Sequence, residues 1–205
     1  MNRRRHKYLS ASLAIMGIVL ALQSAAQSLS RVPPEKVKQI SASLDKSLLP
    51  KGASNFEVEQ NQVVAASGIT FVPVRFQADN KSESSSIVEG QAPQKIYCGL
   101  YQLANGAPAK FLLSLGTGQT EVMQCGRLKA IGAVTPHATH GDLILIYDAF
   151  TPNANLSEPL ILSWDETQKQ YVINEDRSNL ARENSETGNT IFDIRKLLAQ
   201  PAAKP

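Results

Sequence analysis

The two cysteines of this 205-residue chain, Cys98 and Cys125, are the feature that most constrains its fold. In an exported protein an even number of cysteines favours a disulfide, here closing a loop of 28 residues counted from Cys98 to Cys125. Two separate buried thiols and a reactive cysteine are the alternatives. A disulfide needs Cα atoms within about 4.4–6.8 Å, whereas the outer strands of a flat three-stranded meander lie roughly 9.6 Å apart. The pair therefore predicts cysteines on adjacent strands, on facing sheets, or with Cys125 beyond a strand end.

The first 26 residues predict export. Positions 3, 4, 5 and 7 are basic, residues 8–22 form an apolar stretch, and Ser24 and Ala26 place small residues before a cleavage point. This order is typical of a secretory signal peptide cleaved after Ala26, and it indicates a periplasmic or secreted protein. The apolar stretch has 15 residues, whereas a spanning helix needs about 20, so no stable membrane insertion is expected after cleavage.

Removing the signal peptide changes the charge of the chain. The whole sequence has 21 Lys+Arg and 18 Asp+Glu, a net charge of +3, but four of the cations lie in residues 1–26. The mature chain keeps 17 cations and 18 anions, a net charge of −1, and has no cluster of Lys and Arg. Nucleic acid is therefore not an expected partner, because binding to phosphates needs a basic surface.

Residues 27–205 predict one domain of the α+β class. An apolar stripe at Val37, Ile40, Leu44 and Leu48 predicts an N-terminal amphipathic helix over 34–49. A second amphipathic helix is predicted over 191–199, with Asn189-Thr190 as its cap. Between them we expect an antiparallel β-sheet, with a curled or two-layered arrangement left open, and one disulfide.

The strands are predicted from runs of β-branched and aromatic residues and from alternation with a period of two. Asn105-Gly106 and residues 165–168 predict hairpin turns, and Pro73 predicts an edge strand or a bulge. A mobile polar loop is predicted at about 80–94. The predicted strands are 56–59, 63–66, 69–76, 95–103, 110–115, 120–124, 127–134, 143–147, 159–164 and 170–173.

One short loop holds all the histidines of the mature chain. His137, His140 and Asp142 could bind zinc or copper through imidazole and carboxylate groups. The alternative is a polar turn, because a catalytic zinc site needs three protein ligands and an extended loop does not bring them to one face. On this balance we predict no metal ligand and no cofactor.

The remaining residues carry no catalytic motif. The Gly-x-Ser-x-Gly sequence is absent, and Gly116 and Gly118 lie in a turn without a following Gly-Lys-Ser/Thr. The aromatic residues could line a groove for sugars or peptides, but core packing is the simpler interpretation, with Trp164 opposite Tyr171 or Val172.

The sequence therefore predicts an exported, non-enzymatic protein that acts by macromolecular interaction, such as an inhibitor or an envelope accessory factor. Its expected partner is a protein or a component of the cell envelope. Two alternatives stay open: a metal-binding protein or hydrolase centred on His137, His140 and Asp142, and a structural envelope component.

Overall fold

The computed structural model describes residues 29–79, 94–117, 120, 123–136, 138–184 and 190–199. The predicted signal peptide with Ala26 lies outside the described residues, as does the predicted polar loop except for Gln94. In the described ranges, no helix has the length and apolar character needed to cross a membrane. The elements are α1 (Pro34–Ser43), α2 (Glu175–Glu183) and α3 (Ile191–Leu198), with strands β1 (Ser30–Arg31), β2 (Ser54–Val58), β3 (Val64–Ala66), β4 (Ile69–Asp79), β5 (Gln94–Ala104), β6 (Lys110–Leu115), β7 (Gln124–Ala133), β8 (Leu143–Thr151), β9 (Ala154–Asp165) and β10 (Gln170–Ile173).

The described strands form two antiparallel sheets, which confirms the α+β class and the two-layered alternative. Sheet A has the order β1-β3-β4-β5-β6, with β2 also paired to β4. Sheet B has the order β10-β9-β8-β7. Long hairpins dominate both sheets, because β4 pairs with β5 over its whole length and β8 pairs with β9 over its whole length.

The disulfide joins the two sheets. Cys98 lies on β5 of sheet A and Cys125 on β7 of sheet B, with their Cα atoms 5.6 Å apart. The predicted bond is confirmed, and facing sheets are the arrangement that makes it possible. Both cysteines are buried, with exposed fractions of 1% and 0%.

The main hydrophobic core lies between the sheets. Phe71, Leu100, Leu115, Leu145 and Leu160 are among its fully buried side chains. The alternation of strand residues turns a second set of apolar side chains outward on each sheet. On sheet A the outer cluster is covered by α1 and the segment after it, and on sheet B by α2 and α3. Both sheets are therefore apolar on two faces.

The N-terminal helix is shorter than predicted. It ends at Ser43, and a separate 3₁₀ turn follows at Lys46–Leu48. The carboxylate of Asp45 accepts hydrogen bonds from the N–H and hydroxyl groups of Ser47. Such a local bond gives the backbone an alternative to the helix, so the apolar stripe continues while the helix does not.

Of the predicted strand at 120–124, Gln124 begins β7, Thr120 and Met123 do not belong to a strand, and the two residues between them lie outside the described residues. Thr120 lies in a turn, where its hydroxyl accepts from the Gly116 N–H and donates to the Thr117 carbonyl. The Met123 N–H bonds to the Thr120 carbonyl 2.9 Å away. These local bonds satisfy groups that a strand would offer to a neighbour.

The prediction that Pro73 lies on an edge strand or at a bulge is wrong. Its missing N–H nevertheless explains where it lies on the strand. Pro73 lies on β4, which has neighbours on both sides and carries no recorded bulge at this position. Its carbonyl accepts the Glu59 N–H at 2.9 Å, so the side without a donor faces the gap between β2 and β3. The proline therefore sits where an internal strand lacks a continuous partner.

The sequence did not predict α2. Asn174 caps this helix by accepting the Arg177 N–H, and acidic residues occupy its first turn. Only Ser178 and Ala181 are buried, so the helix has no apolar stripe for the sequence to reveal. Ser178 instead donates to the Asn174 carbonyl and accepts the Ile161 N–H, which fixes the helix on sheet B.

Other local predictions are confirmed. β5 and β6 form a hairpin, in which Gly106 has a φ of 74°. β9 and β10 form a second hairpin, in which Asp165 accepts two backbone N–H groups. Thr190 caps α3 by accepting the Asp193 N–H at 3.2 Å.

Replacing both cysteines tests the covalent link. The variant Cys98→Ala/Cys125→Ala should lose roughly 3.5 kcal/mol of unfolding free energy, because a loop of this length is no longer closed in the unfolded chain. Urea unfolding monitored by circular dichroism measures the loss. An unchanged midpoint would mean that the packing of the sheets alone fixes their arrangement.

Glu59 predicts a pH dependence of stability. Partial burial raises its pKa above the ordinary value of 4.5; Glu57 acts in the same direction, while Arg75 and Arg127 oppose it. The raised pKa means that protonated Glu59 favours the folded state, and this contribution disappears as the pH rises through the folded-state pKa. Glu59→Gln stays uncharged, so it should gain stability relative to the wild type as the pH rises above 4.5 in urea titrations. At pH values below 4.5 the variant and the wild type should differ least, and an equal difference at every pH would contradict the prediction.

Candidate binding site

The structure separates the members of the predicted metal loop that it describes. The His140 ring stacks on the Trp164 ring, with 4.0 Å between centroids and 10° between planes. The Asp142 carboxylate forms an ion pair with Arg177 of α2. His137 lies outside the described residues. The two described members therefore have different partners, and no group of three or more His, Cys, Asp or Glu side chains in the described ranges is placed to hold a metal.

Trp164 forms the centre of an aromatic contact at this end of the sheets. It lies opposite Tyr171 in the β9–β10 hairpin, as predicted, and the two rings meet edge to face at 5.3 Å. Tyr171 in turn meets Phe71 of sheet A at 5.3 Å, and its hydroxyl donates to the Gly141 carbonyl. This cluster ties the histidine loop to the core, which is a packing role.

The other aromatic residues do not form a shared groove. Tyr147 lies fully buried between the sheets, with its hydroxyl 2.8 Å from that of Ser114. Tyr97 and Tyr101 are buried on the opposite, outer face of sheet A. Phe150 is exposed at the end of β8. Core packing therefore accounts for most of the aromatic residues named in the sequence.

An open cavity lies beside sheet A, where the chain passes from α1 to β2. Its volume is about 600 Å³, within the usual range for ligand sites. We call it the 46–56 recess, because residues of this single segment line it. The lining residues are Lys46, Ser47, Leu49, Pro50, Lys51, Gly52, Ala53, Ser54, Asn55 and Phe56.

Long-range contacts hold the recess against the sheet. The Tyr101 hydroxyl on β5 donates to the Asp45 carbonyl at 2.9 Å. The Tyr101 ring meets Phe56 edge to face at 6.4 Å. Burial, with a smaller contribution from Asp45, raises the pKa of Tyr101 to about 12, so its hydroxyl stays a donor at neutral pH. The wall of the recess is therefore anchored to the buried outer cluster of sheet A.

The turn at the base of the recess depends on a glycine. Gly52 has a φ of 83°, a left-handed conformation that other residues rarely adopt. A Cβ atom there would lie 3.5 Å from the Asp79 carboxylate at the end of β4. The 46–56 recess therefore lies next to the point where the chain leaves β4.

The recess presents charges that can meet a polar partner. Lys46 and Lys51 line it and are exposed, and the Lys46 Nζ lies 5.3 Å above the Phe56 ring. The Asp45 carboxylate is adjacent, and its pKa is lowered by hydrogen bonds from the hydroxyl and then the N–H of Ser47. The side chains of the lining offer hydrogen-bonding groups and positive charge.

Sequence reasoning missed this site because it placed residues 34–49 in one helix. Pro50-Lys51-Gly52, which follows directly, is a typical helix end and by itself does not indicate a binding site. The detectable signal is a Pro-x-Gly turn that contains Lys51 and follows Lys46, in a loop of the kind that can carry function. The contact of Tyr101 with Asp45 spans 56 residues and has no local signature.

Comparison with protein-family models, with curated proteins and with solved structures finds no match. The functional argument therefore depends on the geometry of the chain itself.

The single tryptophan makes the histidine loop observable. His140→Ala should move the fluorescence maximum of Trp164 to longer wavelength, because loss of the stacked ring exposes one indole face to water. His140→Phe should keep the maximum near that of the wild type. Equal spectra for all three proteins would contradict the stacking.

The same fluorescence tests the metal alternative. Copper(II) bound at His140 would lie close to the indole and quench it. We expect no saturable quenching at micromolar copper, because the Asp142 carboxylate is already ion-paired with Arg177 and a copper ion would have to displace it. Saturable quenching that His140→Phe abolishes would instead support a metal site.

Proposed function

We propose that this protein acts outside the cytoplasm by binding another macromolecule, as an inhibitor or an envelope accessory factor, without catalysing a reaction. The observation that carries the proposal is the open 46–56 recess with its two exposed lysines. The export signal predicted from residues 1–26 and the buried disulfide support an oxidising compartment.

The form of the recess favours part of a larger partner over a small enclosed ligand. One continuous segment forms it and leaves it open to solvent, so a projecting group of a partner can enter without rearrangement of the sheets. The lining combines serine, asparagine and lysine groups with Phe56, which suits a partner that offers both hydrogen-bonding and apolar atoms. A component of the cell envelope or an exported protein has this chemistry.

Charge reversal at the recess tests the proposal. The full chain, expressed with its own signal and purified from the exported fraction, would be immobilised and exposed to envelope and culture-fluid extracts of the source cells. Lys46→Glu/Lys51→Glu should reduce partner retention at least about tenfold, since both exposed cations of the recess become anions and any complementary contact to them is lost. Quantitative mass spectrometry of the retained material measures the effect.

A matched control uses the same change of charge elsewhere. Lys36→Glu/Lys38→Glu alters two exposed lysines of α1 that do not line the recess. Retention should match that of the wild type. Equal loss with both variants would indicate a general charge effect, and retention by neither variant nor wild type would favour the structural envelope component.

A further inference from the structure

Free sheet edges are a hazard that folded proteins usually cover, because unpaired N–H and C=O groups attract further strands. The edge of sheet B formed by β7 is covered by side chains from three other elements. Arg75 donates to the Gly126 carbonyl at 2.7 Å and Gln62 donates to the Lys129 carbonyl at 3.1 Å. Arg195 of α3 donates to the Ala133 carbonyl at 2.6 Å.

The opposite edge of sheet B is covered as well. The Gln102 side chain accepts the Tyr171 N–H at 2.7 Å and donates to the Tyr171 carbonyl at 2.8 Å. The Gln102 amide thus bonds both backbone groups of Tyr171, the N–H and the carbonyl, to which a neighbouring strand would otherwise bond. Lys110 also donates to the carbonyls of Gln168 and Lys169, just before β10.

The edge of sheet A formed by β6 is different. β6 pairs with β5 on one side, and no side chain or strand in the described ranges bonds to the backbone on its other side. Residues 110–113 are half-buried, whereas Ser114 and Leu115 are buried. The open part of this edge is therefore residues 110–113.

The sequence of β6 has little to discourage pairing. Leu112 packs on the inner cluster, and Phe111 and Leu113 pack on the outer cluster of sheet A. The strand contains one charged residue, Lys110, and no proline. Edge strands that resist association usually carry inward charges, prolines or a covering element.

We propose that β6 pairs antiparallel with β6 of a second copy of this chain, joining two A sheets into one. A two-fold axis perpendicular to the sheet places the inner faces of both copies on the same side of the joined sheet. Each residue must therefore pair with a residue of the same face. Centring on Leu112 places Leu112 opposite its equivalent and Phe111 opposite Leu113 of the second copy. Lys110, the one charged residue of the strand, then does not face its equivalent, so no like charges meet, and the apolar pairing favours a second copy over an acidic or basic peptide.

Sedimentation equilibrium tests the proposal on the full exported chain. The interface is small, so we expect a reversible, concentration-dependent dimer. Leu113→Lys should remain monomeric, because a lysine at the open edge opposes pairing. Leu180→Lys, at an exposed leucine of α2, is the matched control and should dimerise like the wild type. A wild type that stays monomeric up to about 1 mM would overturn the proposal.

Cross-linking tests the register and does not depend on the lysine variant folding well. Both native cysteines are bonded to each other, so an introduced cysteine is the only free thiol. Under mild oxidation Leu112→Cys should give a covalent dimer. Ala130→Cys, on the covered edge β7, should stay monomeric. Circular dichroism checks that both variants are folded, and equal cross-linking of the two would contradict pairing at β6.

These outcomes are distinct from those of the proposed function. Lys46→Glu/Lys51→Glu should still dimerise, and Leu113→Lys should still retain the partner. Loss of both properties in either variant would mean that a single surface serves both, which would overturn the separate role of β6.

Discussion

The bond between Cys98 and Cys125 is the constraint on which the rest of the structure depends. It holds β5 of one sheet against β7 of the other and fixes the layer in which both inner faces are buried. The bond lies inside that layer, so reductant can reach it only when the sheets separate. The disulfide and the hydrophobic core therefore both oppose separation of the two sheets.

Burying one face of each sheet leaves the other face to be covered. The outward apolar residues of sheet B receive α2 and α3, while those of sheet A receive α1 and the segment that forms the 46–56 recess. The recess is thus part of the cover over a hydrophobic cluster, and its shape follows from that packing. The segment that forms this polar, open recess is held against sheet A because Tyr101 contacts both Asp45 and Phe56.

The sequence was sufficient where the signal was local or geometric. The spacing of the cysteines excluded a flat meander, alternation located most strands, and Asn105-Gly106 located a hairpin. It failed where a local hydrogen bond replaced a periodic pattern, as at Thr120, and where a helix is fixed by Ser178 without an apolar stripe. The recess and the stacking of His140 on Trp164 depend on residues far apart in the chain, for which one sequence gives no pattern.

The amide of Gln102 has a consequence for how many copies can associate. The two-fold contact proposed at β6 uses that edge in both copies, so it closes on itself. A molecule with a second open edge at β10 could join edge to edge without closing, and such contacts grow into filaments. One buried side chain of β5 thus keeps β10 of sheet B from offering an edge for such growth.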